Sequence, residues 1–216
     1  MLALLKEHKG FWTPARKRSM YFGIFLLVLS VIIQIVLGRF SSRVAVDAPA
    51  VRDIFLDNLP LVNLSPVIVG GAIVLWVSAW VLLIVKPRYL IFSTKAIALY
   101  IISRAFFFSL THIGPYPLHY SPSAHNHGYG LYHLVTFSGN FFYSGHTAFP
   151  FLLALIFWDN KYLRYLFLIL TVFFGASVLL AHVHYSIDVF AAPFIVYGMY
   201  VITTKLFSRD YALFAS

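Results

Sequence analysis

The sequence predicts an all-α, polytopic membrane protein: a bundle of six transmembrane helices with both termini in the cytoplasm. Three observations carry this. First, apolar residues make up 61% of the 216-residue chain and charged residues only 11%, with a mean hydropathy of +0.84. A soluble domain carries about 25% charge, and a chain this short cannot hide so large an apolar fraction from water. Second, the apolar residues fall in runs close to the roughly 20 needed to cross a hydrocarbon core of about 30 Å. Third, lysine and arginine gather at one side of those runs, the mark of cytoplasmic loops. A soluble globular domain and a disordered chain are both excluded. No segment alternates at period two for long enough to build a barrel. Cysteine is absent, which excludes disulfides, thiolate metal sites and a cysteine nucleophile. The net charge of +9 reports membrane topology and gives no ground for nucleic-acid binding.

Residues 1–19 form a basic cytoplasmic segment. Its Leu2, Leu4, Leu5, Phe11 and Trp12, set among lysines, read either as a short interfacial amphipathic helix or as a frayed basic tail. The first span covers residues 20–38, whose apolar run exceeds the roughly 7–15 residues of a signal-peptide core and is therefore an uncleaved helix. The second, 66–85, is entered through Ser65-Pro66, a suitable cap and first-turn pair. The third, about 89–112, carries Lys95 near one end and Arg104 deeper inside. The fourth, about 143–158, is short and begins at Ser144-Gly145-His146-Thr147. The fifth and sixth cover about 164–182 and 184–205. Together, residues 20–207 form the transmembrane domain, with outer loops at 39–65, 113–142 and 183–186 and a cytoplasmic tail at 208–216. This threading puts Lys6, Lys9, Arg16, Lys17, Arg18, Lys86, Arg88, Lys95, Lys161, Arg164, Lys205 and Arg209 inside. Only Arg39, Arg43 and Arg52 lie outside. Twelve against three sets the orientation.

Eight of the nine histidines then belong to the outer half: His112, His119, His125, His127, His133, His146, His182 and His184. The outer loop from about 113 to 142 has no Asp, Glu, Lys or Arg, so it can rest at headgroup level without burying charge, or cover a lipid site. Asp188 is the one acidic residue inside a span, where a charge is costly enough to point to function. It lies four residues after His184, on the same helix face, where its carboxylate can accept the imidazole Nδ1–H and leave Nε2 bare and basic. His146 supplies a second imidazole at the start of the fourth helix. The fourth and sixth helices both aim their N-termini at the outer surface, an arrangement suited to a phosphate. Arg104 reads as a bidentate phosphate ligand or as an ion-pair partner of Asp188.

Two of these segments resemble a known family. Ser138-Gly139-Asn140-Phe141-Phe142-Tyr143-Ser144-Gly145-His146-Thr147 resembles the Cys-Gly-Asp-x-x-x-Ser-Gly-His-Thr segment of sphingomyelin synthases. Ala181-His182-Val183-His184-Tyr185-Ser186-Ile187-Asp188-Val189 resembles their Ala-His-Asp-His-Tyr-Thr-x-Asp-Val motif. Ile202-Thr203-Thr204-Lys205-Leu206-Phe207 is similar to a stretch that follows it, and Asp53-Ile54-Phe55-Leu56-Asp57 to an Asp-x-Phe-Phe-Asp segment of the first outer loop. The family also has an arginine in its third span, where Arg104 stands here. Ser138, Asn140 and Val183 depart from the family's Cys, Asp and Asp, which touches headgroup and acceptor more than chemistry. The wider grouping is the type 2 phosphatidic acid phosphatase superfamily. Its phosphatases add a Lys-x6-Arg-Pro motif, which is not found here, and a Ser-Arg-x5-His-x3-Asp motif, in which Ser177, His184 and Asp188 fit but Val178 stands for the arginine. Fewer cations suit a singly charged phosphodiester better than a doubly charged monoester.

The resemblance implies a lipid phosphotransferase, with His146, His184 and Asp188 as catalytic residues. Arg104, Ser144, Gly145, Tyr185, Asp53 and Asp57 are the substrate-binding candidates, the two loop aspartates as counter-charges to an ammonium headgroup. Aromatic residues Tyr116, Tyr120, Tyr129, Tyr132, Phe142 and Tyr143 add either cation–π contacts or an interfacial belt. The scheme needs no metal and no cofactor. Its partners are the bilayer, a phospholipid donor such as phosphatidylcholine or phosphatidylethanolamine, and a lipid-alcohol acceptor such as ceramide or diacylglycerol; self-association as a homo-oligomer stays open. The active site is expected on the extracytoplasmic face. A hydrolase of the same superfamily is the first alternative, a histidine-rich transporter the second. A Ser144 protease is disfavoured because Ser144 lies only two residues from His146, with no separate base and orienting residue for it.

Overall fold

The structure, a computed structural model, describes residues 8, 10–45, 47–119 and 142–213. Its elements are α1 (Pro14–Ala45), α2 (Ser65–Val85), α3 (Pro87–Leu110), α4 (Gly145–Ile156), α5 (Lys161–Leu180), α6 (Ser186–Leu206) and the single turn α7 (Ser208–Tyr211). No strand occurs among the described residues. Five helices are long and apolar enough to cross a membrane. The exception is α4, whose 12 residues span only about 18 Å. The six expected spans are thus all helical, and the short one is the one that carries the first histidine motif.

Boundaries differ where tertiary support extends a helix past its apolar run. With 32 residues, α1 reaches beyond the expected 20–38 at both ends. Arg16, Lys17 and Arg18 therefore lie in its first turns, and the first outer connection starts only after Ala45. Arg16 Nη1 donates to the Phe11 carbonyl at 2.8 Å and its guanidinium lies over the Phe11 ring, while Trp12 packs against the main core. Leu2, Leu4, Leu5, Lys6 and Lys9 lie outside the described residues. Ser65 does not cap α2. The cap position is Leu64, Ser65 is the first helical residue, and its N–H goes to Asn63 Oδ1 at 3.2 Å.

The central helix is α3, whose Ile91, Phe92, Ala96, Ile97, Ala98, Ala105 and Phe108 are fully buried. A stripe of small residues on α1 (Gly23, Ser30, Gly38, Ser41 and Ala45) lies buried, and its Ser41 hydroxyl reaches the Phe108 carbonyl of α3. Small side chains let two membrane helices approach closely. On the other side α4 fills the core with Phe149, Leu152, Leu153 and Ala154, and Trp76 of α2 stacks on Phe149 at 4.0 Å.

The connections sort to two ends. At one, Gly114 N–H donates to Pro49 O, Val62 N–H to Leu180 O, and Ser144 N–H to Asp188 O, which ties together the α1–α2, α3–α4 and α5–α6 junctions. A Cβ on Gly114 would overlap the Ala48 carbonyl, so this crossing requires glycine. At the opposite end Lys95, 3% exposed, donates to Asp210 Oδ2 at 2.5 Å and to Ser19 Oγ at 2.7 Å. Ser19 Oγ in turn donates to Asp210 Oδ1 at 2.8 Å. This cluster joins α1, α3 and α7 under the rings of Phe22 and Phe207.

Removing one member of a buried ion pair leaves the other uncompensated, at a cost of about 3–5 kcal/mol. Lys95→Met is expected to lower the thermal unfolding temperature in detergent micelles, whereas Lys95→Met combined with Asp210→Leu recovers most of the loss.

Candidate functional site

Both histidine motifs arrive at the same end of the bundle. His146 is the second residue of α4, and His184 lies in the turn between α5 and α6. Their ring centroids are 6.1 Å apart with planes inclined at 64°. That separation lets both imidazoles reach atoms of one phosphate ester.

The α5–α6 turn is built from the motif itself. Asp188 is fully buried on the first turn of α6. Its Oδ2 accepts the Tyr185 N–H at 3.0 Å and faces His184 Nδ1 at 3.4 Å. The expected contact through Nδ1 is therefore present, but not on one helix face: His184 precedes the helix, which starts at Ser186, and the Asp188 carboxylate meets it while capping that helix start. Its backbone carbonyl accepts the Ser144 N–H that precedes α4. One residue thus fixes the position of one histidine and the entry to the helix bearing the other.

Arg104 comes in from α3. Its Nε donates to the Tyr143 carbonyl at 3.0 Å, which sets the guanidinium beside the first turn of α4. A Cβ on Gly145 would lie 3.1 Å from Arg104 Nε and 3.3 Å from the Tyr100 hydroxyl. The glycine of the Ser-Gly-His motif is therefore the space through which the arginine passes. Tyr143, fully buried, shares a 2.8 Å hydroxyl hydrogen bond with Ser103, which holds the carbonyl that Arg104 uses. Neither Tyr143 nor Ser103 was expected in this supporting role; their signal was the position of Tyr143 inside the motif and of Ser103 beside the arginine.

The two helix N-termini are not equivalent. Ser186 N–H, at the start of α6, donates to Asp53 Oδ2 at 2.7 Å, and the Tyr185 N–H is taken by Asp188. Two carboxylates thus occupy the start of α6, and its expected role in holding a phosphate is corrected accordingly. The start of α4 lies instead beside Arg104, which makes it the cationic side of the site.

The other candidates take different positions. Asp53 accepts from Phe55 and Leu56 N–H as well as Ser186, so its carboxylate is engaged with backbone amides and does not stand free as an ammonium counter-charge. Burial raises its pKa, but the donors from Ser186, Leu56 and Phe55 outweigh that and hold it below the usual carboxylate range. Stability from this cap is present above about pH 4 and is lost as pH falls through the depressed folded-state value. Asp57 is exposed, accepting from Arg52 Nε at 3.3 Å and from the Tyr116 hydroxyl at 2.7 Å. Ser144 is fully buried and its hydroxyl accepts from Thr147. Tyr185 is buried, and its hydroxyl donates to the Gly114 carbonyl at 2.8 Å. His112 lies edge-on to Phe40, and His119 Nδ1 lies 2.6 Å from the Tyr116 carbonyl. Tyr120, His125, His127, Tyr129, Tyr132, His133 and the Ser138–Phe141 part of the first motif lie outside the described residues.

One feature went unforeseen. Helix α5 ends in a Schellman motif, with His182 N–H bonded to Leu179 O and Val183 N–H to Val178 O. His182 occupies the left-handed position at φ 52°, where glycine is usual and another residue costs about 1–2 kcal/mol. The absence of Gly or Asn after an apolar run was the available signal.

Residues 138–205 match the family model described as PAP2 superfamily C-terminal. The match covers both histidine motifs and supports membership of the type 2 phosphatidic acid phosphatase superfamily, and with it a membrane lipid phosphatase- or phosphotransferase-type function. No curated protein and no solved structure matches the chain.

Gly145→Ala is expected to push the Arg104 guanidinium by a few tenths of an ångström and to lower turnover by a few-fold, well short of the roughly hundredfold that about 1 Å of misplacement can cost. Adding Gly145→Ala to Arg104→Ala should cause little further loss if both act through the same group. Steady-state rates of the single and double variants measure this coupling.

Proposed function

We propose that the protein is a phospholipid phosphotransferase that moves a phospho-alcohol headgroup, phosphocholine or phosphoethanolamine, from a glycerophospholipid to a ceramide-like or other lipid alcohol. The observation that carries this reading is the paired imidazoles at 6.1 Å, one of them facing a buried carboxylate through Nδ1. In the first half-reaction His184 Nε2 attacks phosphorus, a P–N bond forms and the P–O bond to diacylglycerol breaks. His146 gives its proton to the departing oxygen. Arg104 and the first turn of α4 balance the negative charge on the phosphoryl oxygens. In the second half-reaction His146 takes the proton of the acceptor hydroxyl, whose oxygen displaces His184 from phosphorus.

The diester preference rests on charge. Val178, at the arginine position of the phosphatase motif, is fully buried in an apolar cluster with Leu56, Ile68 and Leu179. A guanidinium there would have to displace packed side chains to reach the site. A phosphodiester, with one negative charge, needs less cationic support than a monoester.

The orientation is part of the same proposal. Among the described residues, Arg16, Lys17, Arg18, Lys86, Arg88, Lys161, Arg164, Lys205 and Arg209 belong to the end opposite the histidine pair. By the positive-inside rule this supports a reading with both termini in the cytoplasm and the site on the extracytoplasmic face, within a catalytic domain proposed at 20–207. Hydrolysis is the second reading, favoured by the family match, and it follows if water rather than a lipid alcohol meets the phosphohistidine.

The test is product analysis in lipid vesicles containing headgroup-labelled phosphatidylcholine or phosphatidylethanolamine, with and without ceramide. Wild type is expected to form a new headgroup-bearing lipid only when the acceptor is present; release of water-soluble headgroup phosphate alone selects the hydrolase. His184→Ala should reduce either product by at least about a thousandfold, and His146→Ala by about 10²–10⁴-fold. Product formation unchanged in His184→Ala would remove the catalytic assignment.

A further inference from the structure

We infer that His182 is a positioning residue that clamps the segment 111–119 to the turn carrying His184, and that this clamp keeps His184 aligned for turnover. The inference rests on the catalytic reading above for its consequence, though not for its geometry.

The imidazole is 5% exposed, and its Nδ1–H donates to the Leu118 carbonyl at 2.8 Å. Tyr116 packs edge-on to the same ring at 5.3 Å and edge-on to Tyr185 at 6.2 Å. Three residues further along the turn, Tyr185 OH donates to Gly114 O and accepts the Val51 N–H, and Ser186 N–H donates to Asp53. The turn around His184 is thus held from outside by two chain segments, with His182 on one flank and Tyr185 on the other.

A residue placed only to end α5 would be glycine or asparagine, which enter the left-handed region readily. Histidine there carries a strained backbone, and its buried Nε2 has no hydrogen-bond partner among the described residues. Both features work against local stability. What the side chain contributes in return is the bond to Leu118, a contact 64 residues away in sequence. Backbone outliers retained at such a cost cluster at functional sites.

The choice of substitutions separates backbone strain from the clamp. His182→Gly relieves the strain and removes the bond. His182→Asn tolerates the same backbone and keeps a side-chain N–H for Leu118. In detergent micelles His182→Gly is expected to melt at or above the wild-type temperature, yet to show faster amide hydrogen exchange across residues 111–119. On lipid substrates its kcat should fall about tenfold with KM within about twofold, and His182→Asn should stay within about threefold of wild type in kcat. Unchanged exchange at 111–119 in the glycine variant overturns the clamp. Faster exchange with unchanged kcat overturns the positioning role, as does a kcat loss accompanied by a fall in melting temperature. A wild-type protein inactive on every phospholipid overturns the catalytic reading and the alignment role with it, while the exchange comparison still decides the clamp.

Discussion

The carboxylate of Asp188 accepts from the Tyr185 amide and faces the His184 imidazole, while the same residue's carbonyl accepts from Ser144. These contacts reach both histidine motifs. The first closes the opening turn of α6, the second fixes the orientation of the His184 ring through Nδ1, and the third anchors the chain as it enters α4. Of this deeply buried carboxylate, Oδ2 meets the Tyr185 amide and the His184 ring, while Oδ1 has no hydrogen-bond partner among the described residues. The demand runs in both directions: the turn must fold to give Oδ2 its donors, and the acid must be in place for His184 to take one orientation. The relative placement of the two imidazoles, separated by a helical hairpin in sequence, follows from that mutual requirement.

The electrostatic character of the site comes from how few charges meet there. The amides at the start of α6 are taken by Asp53 and Asp188, so this helix end offers little to an anion. The start of α4 has Arg104 beside it, admitted by the missing side chain of Gly145. Positive potential is therefore confined to one flank of the pair, and the carboxylate to the other. A substrate phosphate meeting this field would turn its charged oxygens toward α4 and present phosphorus to His184. That asymmetry suits the proposed scheme, in which one imidazole attacks and the other transfers a proton.

Much of this was legible in the sequence because it depends on local properties. Apolar length marks a span wherever the chain goes, and the four-residue spacing of His184 and Asp188 pointed to the pair, although His184 lies in the turn before α6 and the contact is made by Asp188 capping the helix start, not by a shared helix face. Arg104 was legible as a costly charge in a span, though not its route past Gly145. What could not be read depends on which distant segment arrives at a given place. Asp53 looked like a free acid in a polar loop, and its binding to the start of α6 follows only from the crossing of the loop over the α5–α6 turn. The strained conformation of His182 follows from the way α5 ends, and its partner Leu118 lies in a segment with no periodic pattern at all. Helix α1 runs beyond its apolar core because α3 supports its small-residue face, which hydropathy alone cannot register.

Exposure divides the two imidazoles in a way that bears on their proposed roles. His184 is 5% exposed and held through Nδ1, whereas His146 is only partly buried at the first turn of α4. A nucleophile gains from being shielded and oriented, since water near it would intercept the phosphorylated intermediate. The acid–base partner must instead meet two different oxygens in succession, first that of the departing lipid and then that of its replacement. The more open position belongs to the group that has to exchange partners. On the proposed scheme, whichever acceptor reaches the phosphorus on His184, lipid alcohol or water, would give its proton to His146, so the two imidazoles would meet that competition together.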